Sequence, residues 1–429
     1  MSTFQIIVLG VCAALILVGV GVFASFGGVL GGGSSGPVVI WGTLDLATVE
    51  RVLSSMRNAD KSFQDVTYVE KNPATYDTDL LNAMAAGTGP DLFLLSSEKL
   101  HLFSDKIITI PYRLVSQTAF LNSFVDQSDM FLTSQGELAL PFLVDPLVMY
   151  WNRDLFAAAG LAEPPRFWNE LLSIAPKITA LDRSSITTSA VALGTWGNIA
   201  HAKAILSTLF MQAGDSLVVR GQDGALFPTL GSTSSGGSAD SPSALRFYTD
   251  FANPTKTTYS WNRSLPLSTN AFAAGDVAIY FGFVSEYQTL AARNPNLRFS
   301  VAQVPQVEGA LSRTTFGRMT GLAIPRTAQN AEGAAAIAQK LVSQQGITLV
   351  AQAMSLPPVR RDVSFDTSAD ANASTFAQAA LLSRGWLDPD PGVTDSIFQT
   401  MIESVISGER EPAGAVNDAA ATLRQLVGR

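Results

Sequence analysis

Large aromatics stand beside short acids, amides and hydroxyls where apolar runs end. Trp41 comes four residues before Asp45, and Ser96-Ser97 lead into Glu98. Asp145 precedes Tyr150 and Trp151. Trp196 is followed by Gly197, Trp261 by Asn262, and Phe283 by Ser285 and Tyr287. Flat rings cover a C–H surface, while carboxylates, amides and hydroxyls bond a rim of O–H groups. A buried polar group left unpaired costs about 1–3 kcal/mol, so such a rim must be matched atom by atom. This mixture suits holding a hydroxyl-rich ring by stacking and hydrogen bonds, not breaking a bond. With 36 acidic residues a catalytic carboxylate pair stays open. The candidate ligand contacts are Trp41, Asp45, Glu98, Asp145, Tyr150, Trp196, Trp261 and Phe283.

Each has a plainer reading. Asp45, Glu98 and Asp145 could cap helices or close turns. Tyr150 and Trp151 alternate, so on a strand one faces the core and the other need not. Trp168, after Pro164-Pro165, opens a helix and suits packing. The two histidines, His101 and His201, have no His or Cys at metal-ligand spacing, and both read as solvated, capping or helix residues. The sequence contains no Walker A stretch and no G-x-G-x-x-G between a strand and a helix. Gly32-Gly33-Ser34-Ser35-Gly36 matches a nucleophile elbow by letter, but no strand-to-helix context surrounds it. No catalytic residue, metal site or cofactor is expected.

The elements that would carry these residues follow from periodicity. "VVIWGTLD" (38–45), "VTYVE" (66–70) and "PDLFLLS" (90–96) read as strands. Helices at 47–61, with Val49, Val52, Leu53 and Met56 on one face, and at 77–87, stopped by Gly87, separate them. That is β-α-β-α-β at the spacing of a doubly wound parallel sheet, which binds ligands beyond the carboxyl ends of its strands. Residues 136–152 read as a strand pair whose pairing Pro141 and Pro146 limit. A second α/β region follows, with a helix at 198–213 and strands within 271–287, 297–306 and 317–326. Helices occupy 329–345, 346–354, 372–382, 395–408 and 411–427.

With 429 residues, 47% of them hydrophobic, the chain can build two cores. A net charge of −8 argues against nucleic acid as a partner. The single cysteine, Cys12, excludes a disulfide framework within one chain. No charged side chain precedes Asp45. Residues 6–26 are apolar over roughly 31 Å of helix, about one hydrocarbon core. An uncleaved transmembrane anchor is the first reading, because the run lacks the basic leader of a secretory signal. A signal cleaved near Ala24 and a lipoprotein signal ending at Cys12 are the others. All three send the body out of the cytoplasm. Residues 27–36, "GGVLGGGSSG", form a flexible linker.

Four stretches carry a family likeness: "AAGTGPDLFLLS" (85–96), "LPFLVDPLVMYWNRDLFAAAGLAEPPRFWNELL" (140–172), "AFAAGDVAIYFGF" (271–283) and "GLAIPRTAQNAEGAAAIAQKLVSQQG" (321–346). Together they resemble the extracellular solute-binding proteins of ABC importers, in the family that includes maltose- and oligosaccharide-binding proteins. Asp276 stands where that family's pattern has Lys, and Trp151 is an insertion in its Tyr-Asn core. The resemblance implies a two-lobed periplasmic-binding-protein fold, two doubly wound α/β lobes joined by a hinge. It sets the lobes at 37–143 with 300–352, and 144–299 with 353–429. It implies a mono- or oligosaccharide in the cleft and ABC permease subunits as partners; with segment 6–26 as anchor, the expectation is a single-pass protein at the cell membrane with its binding domain outside. A surface-anchored enzyme acting on polysaccharide, or a sensory or adhesion module with the same fold, are the alternatives.

Overall fold

The computed structural model describes residues 36–429 except 222–223, 232, 235–236, 239, 311, 366–371 and 429. The apolar segment 6–26 lies outside the described residues, and the expected anchor with it. Among the described residues no helix is long and apolar enough to cross a membrane. The chain divides into two compact units, Met1–Leu92 with Thr327–Ile337, and Phe93–Arg326 with Ala338–Arg429. The lobe borders expected at 143–144 and 352–353 fall inside the second.

In the first unit β1 (Val38–Gly42) pairs in parallel with β2 (Val66–Glu70), from Val38 opposite Val66 to Gly42 opposite Glu70. The crossover is α1 (Leu46–Ala59), which buries Val49, Val52, Leu53 and Met56, the face its spacing predicts. Its last turn is secured by Arg57, which donates to Glu50 and to the Val66 carbonyl. After β2 comes α2 (Tyr76–Ala86), ended by Gly87 at φ 69°, a left-handed turn that favours glycine. Asp91 accepts the Val39 and Asn330 backbone N–H groups at 3.0 and 2.8 Å, tying the returning segment to β1.

The second unit is built on a sheet of β3 (Leu92–Ser96), β4 (Leu140–Asn152), β5 (Ser185–Val191), β6 (Val277–Phe283), β7 (Phe299–Ala302) and β8 (Thr315–Ala323). Their order is β3-β8-β4-β6-β5, with β7 also paired to β4. Residues 136–152 are mostly one thirteen-residue strand rather than a pair. The prolines do not break it, because each sits where the ladder is irregular. Pro141 lies opposite Gly321, at a register shift between Thr320 and Gly321. Pro146 is the last residue paired with β8, and from Leu147 onward β4 pairs with β6. A missing N–H is tolerated where the strand changes partner.

Beyond that handover the core is aromatic. Tyr150, wholly buried, lies against Tyr280 at 5.9 Å between ring centroids and near Phe272 and Phe299. Trp151, the inserted residue, points the other way. It is partly exposed and packs edge-on to Phe156 at 5.1 Å. Trp168 is buried, as its position after Pro164-Pro165 suggests, and its Nε1–H donates to Gln212. Two helices finish the frame used below: α3 (Ala202–Gln212) and α4 (Pro391–Ile406).

Candidate functional site

The loop after β5 carries Trp196. It turns through Gly194 at φ 110°, where a Cβ would stand 2.7 Å from the Ala252 nitrogen, so a side chain is excluded by strain and by space. Asn198 then pins the loop. Its Nδ2 donates to the Asn262 and Leu265 carbonyls at 2.8 and 2.9 Å. Its Oδ1 accepts from Thr195 and from the Trp261 indole at 3.1 Å. Held this way, Trp196 is partly exposed and borders a cavity of about 440 Å³ in the second unit. The remaining wall is formed by Glu98 after β3, His201 and Lys203 around the start of α3, Phe316 and Arg318 of β8, and Asp395 of α4.

Lys203, His201 and Arg318 each meet a carboxylate there. Lys203 donates to Asp388 at 2.8 Å, Thr394 at 2.7 Å and Asp395 at 2.7 Å, which uses its three N–H bonds. Burial pushes the Asp388 carboxyl up, against the pull of Lys203 and Thr394. His201 Nε2 lies 2.6 Å from Glu286 Oε1. Glu286 also accepts the Tyr280 hydroxyl at 2.6 Å and the Phe283 N–H at 2.8 Å. Burial raises that carboxyl, but the bonds from His201, Tyr280 and the Phe283 N–H outweigh it and leave it below its ordinary range. Arg318 faces Glu98 at 4.0 Å, and its guanidinium lies over the Phe283 ring at 3.8 Å.

The structure brings together some of the sequence-predicted residues and not others. Glu98 and Trp196 line the cavity. Phe283, Asp145 and Tyr150 stand behind its wall. Phe283 is wholly buried, covered by Arg318 and met edge-on by His201 at 4.8 Å. Asp145 accepts the Ser285 N–H at 3.0 Å, the turn-closing role. Burial raises its carboxyl, against the Ser285 bonds and Arg318. Tyr150 donates its hydroxyl to the Phe283 carbonyl at 2.7 Å. Tyr150, Phe283 and Trp261 are wholly buried, and none has exposed ring surface in this arrangement. Trp261 is core, and it serves the loop only through Asn198. Trp41 and Asp45 belong to the first unit. Asp45 caps α1, accepting from Thr48 N–H and Oγ1–H at 2.8 Å each. Trp41 is partly exposed, with the Lys71 ammonium 3.5 Å from its ring centroid.

Sequence reasoning missed His201, Lys203, Glu286, Arg318 and Asp395. One signal was available. The strand-end rule applied to "VAIYFGFVSE" would have reached Glu286, just past the carboxyl end of β6. Arg318 lies within an antiparallel strand and has no such mark.

Comparison with known proteins bears on this arrangement. Residues 58–377, about three quarters of the chain, match the family of bacterial extracellular solute-binding proteins. A putative binding protein of Brucella abortus (strain 2308) is 24% identical over 355 residues, covering 81% of this chain and 82% of that one. An ABC transporter solute-binding protein from Thermotoga lettingae, solved with alpha-D-tagatose, superposes with a TM-score of 0.68 at 21% identity, covering 92% and 100% of the two chains. The cyclic alpha-maltosyl-1,6-maltose binding protein of Arthrobacter globiformis gives 0.75 at 16% identity over 91% and 99%. These likenesses carry the two-lobed α/β fold. The chain belongs to the bacterial extracellular solute-binding proteins, a family of binders and not of enzymes.

Proposed function

We propose that the chain captures a neutral carbohydrate in the cavity beside Trp196 and delivers it to an ABC permease. The protein works outside the cell, held at the membrane by its apolar segment 6–26. One observation carries the choice of solute: a partly exposed tryptophan faces a cavity whose Lys203, His201 and Arg318 already have acidic partners. A net-charged solute finds few unpaired counter-charges there. A polyol finds a ring to stack on and fixed donors and acceptors around it. The volume of about 440 Å³ is that of a small-molecule site. The tagatose bound to the Thermotoga protein and the cyclic maltosyl-maltose for which the Arthrobacter protein is named point the same way.

The two lobes expected from the sequence give this cavity a mechanism. Glu98, Phe316 and Arg318 belong to 37–143 with 300–352. Trp196, His201, Lys203 and Asp395 belong to 144–299 with 353–429. A solute touching both sets favours the closed arrangement by its differential contacts. The test is calorimetry and tryptophan fluorescence of the full chain against mono- and oligosaccharides. At least one is expected to saturate, with a fluorescence change that Trp196→Phe removes. Binding of peptides or polyamines with no saccharide bound would overturn the carbohydrate reading.

A further inference from the structure

His201 is the cavity-lining group whose chemistry is set by residues behind the wall. It stands immediately before α3, and its side chain is 15% exposed. One ring nitrogen, Nε2, meets Glu286 Oε1 at 2.6 Å. Among the described residues the other, Nδ1, has no hydrogen-bond partner. Phe283 packs edge-on against the ring and fixes its plane. We propose that Glu286 locks His201 in the tautomer that carries its proton on Nε2, so that the cavity presents Nδ1 to the solute as a bare acceptor. This inference rests on the binding site proposed above and names what that site demands of its solute.

An ionised carboxylate can only accept, and a neutral imidazole has one donor and one acceptor. The nitrogen facing Glu286 must therefore carry the proton. Glu286 is kept ionised by three converging donors: His201, the Tyr280 hydroxyl and the Phe283 N–H. The end of β6 that supplies Phe283 is itself fixed, because Tyr150 donates to the Phe283 carbonyl. A buried chain of partners thus ends in one acceptor at the cavity. A solute hydroxyl can donate to it. An ether or carbonyl oxygen at the same place cannot, and would leave two acceptors face to face. Glu286 and Tyr280 act through His201, as positioning residues.

The sequence makes a direct test practical, since it holds only two histidines. The full chain labelled with 15N-histidine is observed by long-range 15N–1H correlation, with His101→Gln to assign the second ring. Followed through a pH series, the neutral form of His201 is expected to show a protonated Nε2 and a bare Nδ1. A protonated Nδ1 would overturn the inference. Glu286→Gln is expected to mix the two tautomers, because an amide can donate or accept. An unmixed pattern identical to the unmodified chain would count against Glu286 as the lock.

Maltotriose and D-tagatose are the solute probes. Whichever binds by calorimetry should move the His201 Nδ1 resonance and leave His101 in place. An unmoved Nδ1 in a saturated sample overturns the solute contact. His201→Phe, which keeps a ring without a nitrogen, is expected to weaken that binding about three- to tenfold, the worth of one neutral hydrogen bond. If no saccharide binds, the carbohydrate reading falls, while the tautomer of the free protein still decides this inference.

Discussion

Replacing Asn198 by Ala separates the aromatic that faces the cavity from the one that supports it. The Asn198 side chain makes four hydrogen bonds, two as donor and two as acceptor. Its two donors serve the Asn262 and Leu265 carbonyls in a surface turn, where water can replace them. The other two are different. Trp261 and Thr195 are 0% and 1% exposed, so losing Asn198 Oδ1 strands an indole N–H and a hydroxyl inside the core. At about 1–3 kcal/mol for each orphaned group, the loss of stability should be about 2–6 kcal/mol. Trp261→Phe in the same chain removes the stranded N–H. The double variant Asn198→Ala with Trp261→Phe is therefore expected to be less destabilised than the two single changes combined, by about 1 kcal/mol or more. Urea unfolding measures this cycle. Saccharide affinity supplies the second readout: Trp261→Phe alone should leave it within about twofold, whereas Trp196→Ala should cost about tenfold or more, the loss of a stacking face. Strict additivity in the cycle would refute the bookkeeping, and loss of binding in Trp261→Phe would refute the assignment of Trp261 to the core.

Two further outcomes rest on buried charge. Glu137 is wholly buried with no partner on either carboxylate oxygen among the described residues, and burial moves it from an ordinary 4.5 to about 7. Its raised value means that stability is fully present below about pH 4.5 and is lost as pH rises through 7, by roughly 3 kcal/mol. Glu137→Gln should remove that loss, so the variant gains on the unmodified chain between about pH 5 and pH 8 in urea unfolding; parallel curves would speak against it. Lys203→Met leaves Asp388, its side chain 2% exposed, without its counter-charge. About 3–5 kcal/mol should be lost, and Asp388→Asn in the same chain should recover part of it; no recovery would place the damage elsewhere.

What the sequence made legible was set by the range of the interaction behind each feature. The α1 face of Val49, Val52, Leu53 and Met56 depends on spacing within one helix, and it came out as expected. The Gly87 stop depends on one left-handed residue, and it too was readable. Pro146 was misjudged because its position is allowed only by a change of partner, from β8 to β6, and those strands lie far along the chain. Arg318 was missed for the same reason. It faces the cavity because β8 runs antiparallel to β4, with Arg318 opposite Asp145, a register no local pattern announces.

Trp196 and Trp261 mark the limit most closely. Both follow polar loop residues, and both are succeeded by Gly or Asn, so local sequence gives the two rings the same face value. Tertiary hydrogen bonding divides them. The Trp261 indole finds Asn198 at 3.1 Å, and with its one polar atom satisfied the whole side chain can be buried at no polar cost. Trp196, two residues before that same Asn198, is carried on the outer side of the loop it anchors, and its ring stays partly open. A pair of tryptophans in such a site is thus better read as one stacking face and one strut than as two equal contacts. The residue that assigns the roles is the asparagine between them, whose amide alone can bond the buried indole and both loop carbonyls at once.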